Sequence, residues 1–420
     1  MLQAKDKSKN LKAKLDSISN AQVVHYVVTY VFPISFFIIL IIVGFLEEGS
    51  QQFSNLANAF LHGQTNFLQP IGGLGQDPVY YHGKIFWDEG PFPAVILMPF
   101  VALFNLFHLF FYQGYIKWLF VVGTMYFIYQ LAKKFKYTKE DCVILVIAFV
   151  LASVYLGAAS VSSGWLYAQV VGTFLLFWAL YEFYGRRRWW LIGLISSFIV
   201  LTRITAAPIL IFMALSILLT NKTSRDKLHN LVKLFGFVVL AAIVIGAYNY
   251  QRFGNPLDNG NKYQLLSIDS AEARSLGLFS LDHIPTNLYT ALLRGPNIVT
   301  RDSTSWTLKP PYIDNNPLGM SIFLTSPYFL YMFTRRWSKY SKEAKLLVIS
   351  ALVSALFVLA YFGDGADQFG YRYSLDFLPE LFVAFMLLYR QYNSLLTRGM
   401  KFLIVASSIF DFYLISSYIK

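Results

Sequence analysis

Residues 75–99 read GQDPVYYHGKIFWDEGPFPAVILMP, and five acidic or basic side chains crowd into them: Asp77, His82, Lys84, Asp88 and Glu89. They follow the first apolar segment of membrane length. Carboxylates sit cheaply in a polar loop and are expensive inside a bilayer. Acids and bases gathered at such a point suggest chemistry at a membrane face, against the plainer reading of a solvated loop. A glycosyl or related transfer there needs a carboxylate to take the proton from an acceptor hydroxyl. It also needs cations, or a divalent metal such as Mg²⁺ or Mn²⁺, to meet charge building on a phosphate leaving group. The acids available in this first loop are Asp77, Glu48, Asp88 and Glu89, with Glu47 read as the end of the preceding span.

Two arginines are the best cations for a phosphate, Arg203 in LTRITAAP and Arg372 in FGYRYSLDFLPEL. A guanidinium offers a planar fork to phosphate oxygens and keeps its charge when partly desolvated. Lys84 is a third candidate, with His82, Tyr81 and Asp376 in support. Each arginine also has a structural reading, snorkelling to headgroups or pairing with an acid. Arg372 stands one turn before Asp376, and Asp376 and Glu380 share a helix face at i, i+4. No His-x-x-x-His or comparable pair has metal-ligand spacing, so a protein-built zinc site is not expected. The single cysteine, Cys142, excludes an intramolecular disulfide.

The elements that must carry these residues are apolar helices. The chain is 56% hydrophobic and only 14% charged, far from a soluble average, and many runs approach the ~20 residues that cross a bilayer. Net charge is +12, yet 24 of the 35 Lys and Arg fall in short clusters at 5–14, 133–139, 186–188, 222–233, 335–345 and 390–401. Such spacing marks a cytoplasmic side and anionic headgroups, not a nucleic acid. The lysine-rich residues 1–23 are then a cytoplasmic terminus, and the first span, 24–46, delivers residues 47–111 to the outer face of a cell (inner or plasma) membrane. Parity of the clusters lets only one of the stretches 92–111 and 115–132 cross. The prolines opening the first disfavour a regular helix there, so it is expected to lie along the outer leaflet, the alternative being that it crosses and a later stretch does not. The expected fold is all-α and integral to the membrane, with about eleven transmembrane helices. A core at 24–249 carries the long first outer loop, residues 250–317 form a second outer cap with short helices, and 318–420 complete the bundle.

The order of motifs resembles the GT-C superfamily of polytopic glycosyltransferases, especially its dolichyl-phosphate-mannose protein mannosyltransferase-like and aminoarabinose-transferase-like bacterial branch. NLANAFLHG (55–63) looks like the helix of that group's first outer loop, and residues 77–99 are similar to its D-x-x-x-Y-x-G-K-x-Y…G-P-x-P-A stretch. LTRITAAP (201–208), RFGNPLDNGNKYQ (252–264), LTSPYFL (324–330) and FGYRYSLDFLPEL (369–381) resemble later motifs in the same order. The resemblance implies a bundle of this type and transfer of a sugar from a polyprenyl-phosphate-linked donor, with a first-loop acid as base. It leaves the acceptor open among protein, lipid and glycan. It ranks Asp77 first, then Glu48, then Asp88 and Glu89. One departure stands out: where mannosyltransferase-type members carry an Asp-Glu pair, this chain reads EEGSQQFSNLA, with Gln51 and Gln52 following Glu48. That keeps a catalytically inactive scaffold open as an alternative. A lipid or saccharide transporter or flippase is the other, although neither inverted repeats nor a polar path through the membrane is evident.

Overall fold

The computed structural model describes residues 31–46, 49–70, 77–302, 306–363, 365 and 367–418. Its helices, in chain order, are α1 (Phe32–Leu46), α2 (Gln52–Leu61), α3 (Phe92–Asn105), α4 (Gly114–Lys134), α5 (Lys139–Val150), α6 (Tyr155–Ser160), α7 (Gly164–Phe183), α8 (Trp189–Thr202), α9 (Ile209–Leu218) and α10 (Ser224–Phe253). They continue with α11 (Ile268–Ser275), α12 (Ile284–Leu292), α13 (Ile322–Thr325), α14 (Lys342–Ala360), α15 (Leu378–Tyr392) and α16 (Arg398–Tyr418). Among the described residues, α7, α10, α14 and α16 are long and apolar enough to cross a bilayer, and α3, α8 and α9 are shorter apolar helices.

The fold is mostly helical but not all-α. Two antiparallel hairpins interrupt it, β1 (Val79–Tyr81) with β2 (Lys84–Phe86), and β3 (Asn297–Thr300) with β4 (Leu308–Asp314). The first closes on His82 and Gly83, both with positive φ (48° and 76°), the signature of the two-residue turn that matches strand twist.

Local chemistry explains where the helices begin and break. Thr138, Thr223 and Ser341 each accept a backbone N–H in the first turn of α5, α10 and α14, satisfying donors that the helix leaves orphaned. Gly254 ends α10 in the left-handed conformation, where a side chain would be strained. The apolar run 142–160 splits between α5 and α6. Ser153 bonds the Phe149 carbonyl at 2.5 Å and receives the Tyr155 N–H at 3.1 Å, competing with the helical ladder. Prolines do not keep 92–105 from being helical. Pro91 caps α3 and Pro93 lies in its first turn, where the missing N–H would have had no partner anyway.

In the main core cluster Trp87, Tyr155, Tyr167, Tyr328 and Tyr371 are fully buried, and a small second cluster of Val79, Phe86 and Phe253 packs under the first hairpin. Helix α8 packs along α10, while Val232, Val239, Leu240 and Ile243 of α10 stay exposed, an apolar face suited to lipid. Gln51 and Gln52 brace the helix junction from within: Gln51 Oε1 accepts the Gln113 N–H at 2.8 Å and Gln52 Oε1 the Gly164 N–H at 3.0 Å.

Candidate functional site

The segments that converge on a cavity of about 1000 Å³ include the loop 77–91, the end of α8 with the turn after it, the second half of α10 with residues 256–264 beyond it, and the 3₁₀ turn Arg372–Asp376. Its polar lining includes Asp77, Asp88, Glu89, Arg203 and Arg372, and its apolar lining includes Ile204 and Val239, Ala242, Ile243 and Ile245 of α10.

Close backbone contact brings the loop to α8. Gly90 packs so tightly on the Leu201 carbonyl that a Cβ would overlap it. The neighbouring Glu89 thereby meets Arg203, Oε1 to Nη1 at 3.2 Å. The rest of the Arg203 fork belongs to Asp376, with Nε to Oδ1 at 2.5 Å and Nη2 to Oδ2 at 2.9 Å. Thr205 Oγ1 donates a further 2.5 Å bond to Asp376 Oδ2. Arg203 and Asp376 are 9% and 2% exposed, so this is a buried, bidentate pair whose partners largely satisfy each other.

The structural pairing considered from the sequence, Arg372 with Asp376, does not form. Residues 372–376 are a 3₁₀ helix. At three residues per turn, i and i+4 point about 120° apart instead of sharing a face. Asp376 turns to Arg203 and Arg372 turns to the cavity. Arg372 is 6% exposed, its backbone held by Gln368 Oε1 at 2.9 Å and Gln169 Nε2 at 3.1 Å. Its guanidinium lies 4.8 Å from the Tyr373 ring and 5.9 Å from that of Trp165. Among the described residues Nε has no hydrogen-bond partner, and no carboxylate lies within ion-pair distance.

The carboxyls facing it hold their protons unusually well. Burial pushes Asp88 up to about 7, helped by the charge of Asp77. Burial pushes Glu89 up to about 8, against the pull of Arg203 and with a further push from Asp88. Asp77 is raised by burial and restrained by Arg372. Desolvation disfavours the ionised form wherever water is excluded. Asp88 Oδ2 accepts from Gln264 Nε2 at 2.7 Å, and Arg274 Nη1 holds Gln264 Oε1 at 2.9 Å. Asp88 Oδ1 and Glu89 Oε2 are buried without a partner among the described residues. The site thus sets proton-exchanging carboxyls beside a cation with donors to spare.

Of the residues singled out by sequence, Asp77, Asp88, Glu89, Arg203 and Arg372 come together here, with Asp376 behind Arg203. Tyr81, His82 and Lys84 do not reach this cavity, because the β1–β2 hairpin carries them to a separate one. Glu48 lies outside the described residues, as do residues 1–23. Sequence reasoning missed Arg252, Arg274 and Thr205 as parts of the site, and the aromatic platform of Trp165 and Tyr373. Gln264 and Arg252 do sit in the RFGNPLDNGNKYQ motif, so its match carried that signal. No group of three or more His, Cys, Asp or Glu gathers to hold a metal among the described residues. They do not fit a protein-built Mg²⁺ or Mn²⁺ site.

The chain is similar to solved structures of an oligosaccharyltransferase from Archaeoglobus fulgidus. It is 12% identical to the apo form, covering 92% of this chain and 55% of that one with a TM-score of 0.42. It is 16% identical to the archaeal oligosaccharyltransferase AglB from Archaeoglobus fulgidus in complex with an inhibitory peptide and a dolichol-phosphate, covering 91% and 55% with a TM-score of 0.44. The chain therefore spans about half the length of these structures. No curated protein matches it. Residues 90–293, which carry Arg203, Arg252, Gln264 and Arg274 but not Arg372, match the family described as a predicted membrane protein (DUF2079).

Proposed function

We propose that this chain is a membrane glycosyltransferase that moves a sugar from a polyprenyl-phosphate-linked donor to an acceptor hydroxyl at the outer face of the cell membrane, with the N-terminus cytoplasmic. The observation that carries the reading is the cavity's mixed lining: a buried Arg372 whose Nε has no hydrogen-bond partner among the described residues, three carboxyls, and apolar side chains of α10. An amphiphilic phosphate matches both kinds of lining: Arg372 takes the phosphate oxygens and the α10 wall takes the prenyl chain.

In the transfer itself, a carboxylate accepts the proton of the acceptor hydroxyl as that oxygen bonds to the anomeric carbon. The bond from that carbon to the phosphate oxygen breaks, and the polyprenyl phosphate leaves with the electron pair. Arg372 meets the charge gained by the phosphate, which is where a fixed cation lowers the barrier. Asp88 is best tuned as base, because a group titrating near the working pH combines availability with proton affinity. Asp77, beside it, is the second choice. Arg203 acts through Glu89 and Asp376 as a positioning residue, since its fork is already filled.

The test is sugar transfer by the purified full chain in proteoliposomes from a series of polyprenyl-phosphate sugars. Asp88→Asn is expected to lower the rate by about 10²–10⁴-fold, with Asp77→Asn less severe. An Asp88→Asn, Asp77→Asn double variant that transfers at the original rate would overturn the assignment.

A further inference from the structure

A second cavity, of about 490 Å³, is lined by the β1–β2 hairpin and differs in chemistry from the first. Its wall carries Lys84, His82 and Arg252, with the amides of Gln64, Asn66 and Gln251, and no carboxylate. The volume falls within the range that encloses a small ligand.

Arg252 is built in, while His82 and Lys84 stand exposed at the rim. Arg252 is 5% exposed and lines both cavities. Nη1 donates to the Trp87 carbonyl at 2.5 Å, Nη2 to Asn249 Oδ1 at 2.7 Å, and the group lies 3.8 Å from the Tyr248 ring. Its Nε is buried with no hydrogen-bond partner among the described residues. His82 is held at the hairpin turn with its ring 4.1 Å from that of Tyr81. Lys84 pairs with Tyr81 in the strand register and makes no ion pair among the described residues. Asp88 and Asp258 reach Arg252 electrostatically, but neither lines this cavity.

A polar chamber whose wall carries Lys84, Arg252 and several amides and no carboxylate favours a ligand with negative charge and several hydroxyls. The cations take a carboxylate or phosphate, and the amides exchange hydrogen bonds with hydroxyls. We infer that this cavity is a second binding site, selective for a sugar bearing an anionic group. The site stands whether or not the first cavity transfers a sugar, because it shares only the Arg252 wall with it.

Ligand-detected NMR titration of the full chain in detergent tests this, with glucuronate, glucose 1-phosphate and neutral glucose as probes. At least one charged sugar is expected to bind saturably and about tenfold more tightly than glucose, the stronger of the two telling carboxylate from phosphate. Lys84→Gln, at an exposed position that leaves folding intact, is expected to weaken that binding about threefold or more. His82→Asn, which keeps a residue tolerant of positive φ, lowers it further. Arg372→Gln in the first cavity leaves it unchanged. Equal binding of glucose and both charged sugars would overturn the inference. So would binding that survives Lys84→Gln and His82→Asn together, or that is lost with Arg372→Gln.

Discussion

Replacing Asp376 by Asn tests the network that sets the site. Asp376 is 2% exposed and receives three hydrogen bonds, two from Arg203 and one from Thr205. The substitution keeps the side-chain volume but removes the charge and turns one acceptor into a donor. Arg203 is then left with Glu89 at 3.2 Å, a group that burial has pushed up to about 8 and that is mostly neutral at pH 7. Breaking a buried pair on one side strands the remaining charge, which costs about 3–5 kcal/mol. Since Asn retains one acceptor, the expected loss is near the lower end, about 3 kcal/mol. Unfolding of the full chain in mixed micelles with increasing dodecyl sulfate reads it. Removing both charges, as Arg203→Met with Asp376→Leu, should recover most of the loss, because no buried charge is then unpaired. Glu89 supplies a second readout. With Asp376 neutral, one source of its upward shift is gone and Arg203 is its own, so its pKa falls. A single-variant cost below about 1 kcal/mol, or a double variant as costly as the two singles added, would refute the reasoning.

Two further expectations follow from the same loop. Asp88 and Glu89 keep protons in the folded chain up to about pH 7 and about pH 8, whereas the unfolded chain releases them near pH 4. Their contribution to stability is therefore full below about pH 4 and is lost as pH rises through 7 and 8. The unfolding midpoint should fall from about pH 5 to about pH 9, and Asp88→Asn with Glu89→Gln should flatten that slope; an unchanged slope contradicts the burial account. Gly90→Ala forces a Cβ onto the Leu201 carbonyl and should destabilise by about 1–3 kcal/mol or more. Gly236→Ala, within α10 and with open space around it, is the matched control, stabilising by about 0.5–1 kcal/mol.

What sequence carried about this fold is a matter of range. Apolar runs announce α7, α10, α14 and α16, because that signal acts within a few residues. The split of 142–160 turned on one hydroxyl, Ser153, which a hydropathy pattern averages away. Proline at 91 and 93 was read as a breaker where its place in the first turn makes it harmless. The loop 77–91 and the two arginines were visible as candidates, since isolated charges stand out in an apolar chain. Their partners were not. Arg203 meets Asp376 across 173 positions and Gln264 meets Asp88 across 176, and no local spacing encodes either contact. The nearest local clue, Arg372 four residues before Asp376, pointed to the wrong pair because it presumed an α-helix where the chain forms a 3₁₀ turn.

The central claim is that Arg372 holds the phosphate of a polyprenyl lipid in the first cavity. Its most direct measurement is the affinity of the purified full chain for a short-chain polyprenyl phosphate, set against the uncharged polyprenol of the same length. Losing a charge-assisted contact worth about 1.5–3 kcal/mol corresponds to roughly 10–100-fold in affinity. Arg372→Gln should weaken the phosphate by that factor and leave the polyprenol unchanged. Equal affinity for phosphate and polyprenol in the wild type, or a phosphate affinity indifferent to Arg372→Gln, would contradict it.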